Sequence, residues 1–116
     1  MHYVRNVQIS AILAGKLIFA GVLVSGTAVA DAFTAEKVMK SMTSDERSGY
    51  FAGVIEGLAI ARYNKDGKKK DGMECIYDWY YKDKTTIRTL YEAFDRYPAY
   101  PPGSIIDVLA KRKCGE

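Results

Sequence analysis

The chain has 116 residues, 17 of them Lys or Arg and 14 Asp or Glu, for a net charge of +3; that length holds one domain and excludes a multidomain machine, a repeat array or a two-part cofactor-binding enzyme. Apolar residues make up 48% and charged residues 27%, the balance of a folded globule and not of a disordered chain. The basic excess sits mostly in residues 1–30, which contain Arg5 and Lys16 and no acid.

Leu17 to Val24 reads LIFAGVLV and is followed by Ser25-Gly26-Thr27 and Ala28-Val29-Ala30. A basic segment, a short apolar run and small residues two apart are the layout of a secretory signal peptide. Cleavage is expected after Ala30, leaving residues 31–116 as one helical domain in the periplasm or outside the cell. A retained anchor fits less well, because Lys16 interrupts the apolar stretch and the run beyond it falls short of the ~20 residues that span a bilayer. No cysteine directly follows that run to carry a lipid.

In chain order, Thr34 is placed to cap a first helix through Met42, with Phe33 and Val38 at the spacing of a hydrophobic staple. Thr43 and Glu46 form a capping-box pattern that opens a longer helix to about Tyr63, stopped by Asn64 and Gly67. Tyr50, Phe51, Val54, Ile55 and Leu58 recur at helical spacing, extended by Ala59 and Ala61, and predict one broad buried stripe. Gly49, Gly53 and Gly57 fall four apart on one side of the same helix, each costing about 1 kcal/mol of helix propensity relative to alanine. Close packing of a second backbone into this glycine groove is the expected compensation, within the subunit or across a homodimer.

Asn64 to Glu74, NKDGKKKDGME, reads as a polar loop. Lysines stand where calcium needs oxygen ligands, so it is not a metal loop, and its interleaved acids disfavour nucleic acid. Cys75 to Tyr81, CIYDWYY, fits either a short helix or an extended link. Asp83 is placed to cap a helix through Tyr97 with Ile87, Leu90, Tyr91 and Phe94 on its apolar face. Pro98 and Pro101-Pro102-Gly103 make a corner, and Ile105, Ile106, Val108 and Leu109 carry a last helix whose end suits Lys111, Arg112 and Lys113. No stretch alternates like a strand with turn signals, so the expected fold is a small all-α bundle of four to five helices.

Cys75 and Cys114 are the only cysteines. In an exported chain an even pair closes, so one disulfide is expected, with Cys114 just past the last helix. The single histidine, His2, lies in the leader, so the processed chain has no imidazole for a nucleophilic dyad, a proton relay or a zinc site. Ser44, Ser48 and Ser104 have no nucleophile-elbow context, and no phosphate-cradling glycine loop is present. The acids fall mostly at caps and on polar helix faces. No enzyme, no cofactor and no metal are therefore expected. Instead, eight tyrosines and Trp79 lie beyond the leader, a supply of rigid contact area suited to a core or to a protein-binding surface.

The run Gly49-Tyr50-Phe51-Ala52-Gly53-Val54-Ile55-Glu56, then Cys75, the Leu90 helix, Pro98 and a final helix ending at Cys114, resembles the Rap/Tai immunity proteins over Gly49 to Cys114. The resemblance implies an exported, disulfide-bearing, often dimeric helical protein that binds and occludes a cell-wall amidase effector of type VI secretion. Partner contacts are expected, from composition and exposure, in Lys68, Lys69 and Lys70 or in Asp78, Trp79 and Tyr80. Two other functions suit the same chain: an HdeA-like periplasmic acid-stress chaperone, in which carboxylate protonation exposes apolar surface, and a non-enzymatic envelope interaction protein.

Overall fold

The structure, a computed structural model, describes residues 32–116, and the leader expected over residues 1–30 lies outside them. Among the described residues five helices and no strand form an all-α bundle: α1 (Ala35–Ser41), α2 (Ser44–Lys65), α3 (Asp71–Tyr81), α4 (Thr86–Arg96) and α5 (Pro102–Cys114).

Local chemistry starts the first two helices where the sequence predicts. The Thr34 side chain accepts the Lys37 N–H at 3.3 Å and caps α1. Phe33 is not confined to a staple with Val38. Its ring packs edge-on against Tyr50 of α2 at 5.6 Å, while Val38 is fully buried in the core. At Thr43 both halves of the capping box form: the Thr43 N–H donates to Glu46 Oε1 at 2.8 Å and the Glu46 N–H to Thr43 Oγ1 at 3.2 Å. This claims Thr43 for α2, so α1 ends at Ser41 with Met42 extended.

α2 runs past the expected Tyr63 to Lys65 and closes with a Schellman motif. The Lys68 N–H reaches the Tyr63 carbonyl at 2.8 Å and the Gly67 N–H the Asn64 carbonyl at 3.3 Å, with Gly67 in the left-handed region at φ 67°. Only glycine enters that region without a Cβ penalty, which is why the helix stops there. Phe51, Ile55 and Ala59 are fully buried at spacing four, flanked by half-buried Tyr50, Val54 and Leu58, whereas Ala61 faces solvent.

CIYDWYY is helical, and the polar loop is shorter than Asn64 to Glu74. Asn64 and Lys65 finish α2, and Asp71–Glu74 form the first turn of α3. The physical reason is the buried row Gly72, Ile76 and Trp79, a helical spacing that begins inside the segment expected as loop. Gly72 must be a glycine for close approach: an added Cβ would sit 2.5 Å from Arg62 Nε and 2.7 Å from Asp66 Oδ2. Gly72→Ala is expected to lower stability by about 2 kcal/mol despite the better helix propensity of alanine, because it displaces a half-buried ion pair. Urea unfolding checks this, and a gain in stability would show that Arg62 simply swings away.

α4 starts at Thr86, two residues later than a cap at Asp83 implies. The Asp83 carboxylate instead holds the preceding turn, accepting from Thr85 Oγ1 at 2.7 Å and the Thr85 N–H at 2.9 Å. Thr86, buried, donates its hydroxyl to the Trp79 carbonyl, so the buried row is Thr86, Leu90 and Phe94, and Ile87 turns outward. The hydrogen bonds from Thr85, side chain first and backbone second, hold the Asp83 carboxyl below the usual carboxylate range. A depressed folded pKa adds stability above the unfolded value, and that contribution disappears as pH falls through the folded value. Asp83→Asn is therefore expected to flatten the acid limb of the stability curve below about pH 4, readable in melting temperatures from pH 7 to pH 2; an unaltered limb would refute it.

Pro102 opens α5, and Cys114 is its last helical residue, not one beyond it. The corner before it receives α1: the Ala35 N–H donates to the Tyr100 carbonyl at 2.9 Å and the Glu36 N–H to the Pro98 carbonyl at 3.0 Å. Two otherwise orphaned donors of the first turn are satisfied this way. α3 lies along α2, α5 closes against α3, α2 and α4, and α1 rests on α4. No helix among the described residues is long and apolar enough to cross a membrane.

Candidate functional site

Two devices clamp the C-terminal end of α5. Cys75 on α3 is bonded to Cys114, with Cα atoms 5.8 Å apart, as expected. Beside it the Arg62 guanidinium donates to the Gly115 carbonyl at 2.8 Å and the Cys114 carbonyl at 3.2 Å, while its Nε pairs with Asp66 at 2.8 Å. Arg47 does comparable work for α1: it donates to the carbonyls of Met42 at 2.6 Å and Met39 at 3.2 Å, and lies 5.6 Å over the Tyr91 ring of α4. Both arginines cap helix ends with a charged fork. In the sequence they read only as polar residues on a helix, and the one local hint is the four-residue spacing of Arg62 and Asp66.

The residues expected at a partner contact do not form one surface. Lys68, Lys69 and Lys70 are exposed in the short link between α2 and α3, with Lys68 held in the left-handed region at φ 68°. Asp78 is exposed, but Trp79 is only 6% exposed and belongs to the core, and Tyr80 is half-buried with its ring edge-on to Tyr81 at 4.9 Å. Burial pushes the Tyr80 hydroxyl pKa up. Successive residues of a helix point about 100° apart, so Asp78-Trp79-Tyr80 cannot share one face, and the partner-contact reading of Trp79 is corrected. Asp78 helps line an open depression at the disulfide, with Asp71, Glu74, Asp83, Lys82 and Lys113 and with the small uncovered part of Trp79 at its floor; neither Tyr80 nor any of Lys68–Lys70 lines it.

Gly49, Gly53 and Gly57 also depart from expectation. They are exposed, offset by two residues from the buried row Phe51, Ile55 and Ala59 and hence on the opposite side of α2. An added Cβ at any of them meets nothing within 4 Å. Packing of a second backbone within the subunit is therefore overturned, because the apolar row turns the other face of the helix inward. Replacing all three by alanine is expected to raise stability by about 1 kcal/mol per site. Sedimentation of the same variant reports whether copies of the chain associate through this strip: a loss of association would assign it to a subunit interface.

A trough of about 500 Å³ lies between α4 and α5. Ala93, Ile105 and Leu109 contribute its apolar lining, with Tyr97 and Tyr100 from the corner. Arg96 and Arg112 line it as well. Tyr97, Tyr100 and Val108 remain 45%, 58% and 48% exposed. The sequence pattern places Val108 on a buried face and Arg112 at the helix dipole, and it gives no sign of the trough, which needs two helices side by side. Among the described residues no cluster of His, Cys, Asp or Glu is arranged to hold a metal ion. No protein-family model, curated protein or solved structure matches the chain.

Proposed function

We propose that the protein is an exported immunity protein that works without chemistry of its own, by binding a cell-wall amidase effector of type VI secretion and blocking its cleft. One observation carries the binding part of this reading: α5 is locked at its end by both the Cys75–Cys114 bond and the Arg62 fork, while Val108 on the same helix and Tyr97 and Tyr100 in the corner before it stay exposed. A surface held rigid before contact loses less conformational entropy on binding, which favours tight complexes. Tyrosine-rich patches suit protein contact. The bonded cysteine pair fits an oxidising compartment, and the Gly49 to Glu56 run with Cys75 and Cys114 supplies the resemblance that points to amidase effectors.

The test mixes the purified, oxidised protein with a panel of secreted cell-wall amidases, including any carried by the same cell's type VI apparatus. A stable complex with one amidase and loss of its peptidoglycan hydrolysis is the expected result. Absence of both across the panel would sink the immunity reading. Suppression of client aggregation near pH 2 without amidase binding would replace it with the acid-stress chaperone.

A further inference from the structure

We propose that the trough between α4 and α5 is the docking site for an acidic amphipathic helix of a protein partner. The inference deepens the binding reading above and rests on it only in taking the partner to be a protein.

The lining residues come from α4, α5 and the corner that joins them, and among the described residues no third helix contributes a roof. A small ligand needs most of its surface enclosed, whereas a helix lays one apolar face into an open groove. The dimensions fit that mode. From Ser104 to Arg112 the trough runs along α5 for eight residues, roughly 12 Å at 1.5 Å per residue, which is about two turns of a docked helix. Its lining offers Ala93, Ile105, Val108 and Leu109 to apolar side chains.

Charge selects the occupant. Arg96 stands beside the corner and Arg112 eight residues along α5 from Ser104, so the two cations bracket the apolar stretch. Neither takes part in an ion pair among the described residues. Glu92, the one acid in the lining, already faces Arg88 at 3.7 Å. Two free guanidinium groups at the ends of an apolar floor are complementary to two carboxylates seven or eight residues apart on one helix, with leucine-like residues between them.

The experiment uses a synthetic helical peptide of about 18 residues, with leucines on one face and two glutamates seven residues apart beside them. A counterpart carries lysine in place of both glutamates. Each is titrated into the isotope-labelled protein and followed by amide chemical shifts. The expected result is that shifts concentrate on Thr89, Ala93, Val108, Leu109 and Arg112, and that the acidic peptide binds at least about tenfold tighter than its lysine counterpart. The variant with Arg96→Glu and Arg112→Glu reverses that preference, and Val108→Lys weakens both peptides without lowering the melting temperature. The proposal is overturned if neither peptide binds, if both bind alike, if the shifts centre elsewhere, or if trough amides move with protein concentration alone, which would make a second copy the occupant. Amidase binding that ignores the Arg96 and Arg112 reversals overturns the trough and leaves the immunity reading standing. Selective peptide binding with no amidase bound does the opposite.

Discussion

Replacing Cys75 and Cys114 together by serine is expected to remove about 4 kcal/mol of stability. The bond closes a long loop, with a sequence separation of 39, and constraining the unfolded chain over that length is worth about this much in the chain-entropy account. A small domain has only about 5 to 15 kcal/mol in total, so the loss is a large part of what holds it folded. The effect reaches beyond the loop. The carbonyls that Arg62 caps belong to Cys114 and Gly115, so an α5 end that frays without its bond also releases the arginine. The two losses are coupled and will not add as independent terms. Urea unfolding of the oxidised protein beside the double variant measures the difference. A change below about 1 kcal/mol would mean that packing alone holds α5 in place.

Phe51→Ala is expected to cost about 4 kcal/mol. The side chain is 1% exposed and its ring meets Phe94 at 5.5 Å in an edge-to-face arrangement, with Tyr91 at 5.9 Å and Tyr50 at 6.1 Å. Truncation removes the apolar transfer energy, leaves a cavity between α2 and α4, and deprives three neighbouring rings of their quadrupole partner. Phe51→Leu keeps much of the volume and should cost about half as much or less. Thermal and urea unfolding of both variants give the comparison. Equal losses for leucine and alanine would show that ring geometry, and not filled volume, is what the site requires.

The difference between legible and illegible features tracks the range of the interactions. Thr34, Thr43 with Glu46, Gly67 and Pro102 act within one turn of chain, and the helix boundaries they signal lie within a few residues of those observed. Gly72 reads as a loop residue in the sequence because its reason for being glycine sits on another helix, in the Arg62 side chain. Trp79 divides between core and contact because CIYDWYY is too short to show its own period; the row becomes visible only once Gly72 and Ile76 are known to belong to the same helix.

By itself the sequence determined the all-α class, the starts of the first two helices and the pairing of its two cysteines, since caps, periodicity and an even cysteine pair are local or compositional signals. Only the tertiary structure decided that the glycine strip of α2 lies open, that Arg62 reaches a carbonyl 53 residues away, that Arg47 reaches Tyr91 across 44 residues, and that α4 and α5 leave a cation-bracketed trough between them. Each of these depends on which helix faces end up opposed, and that is set by the joint burial of apolar rows from distant segments, which no single stretch of chain contains.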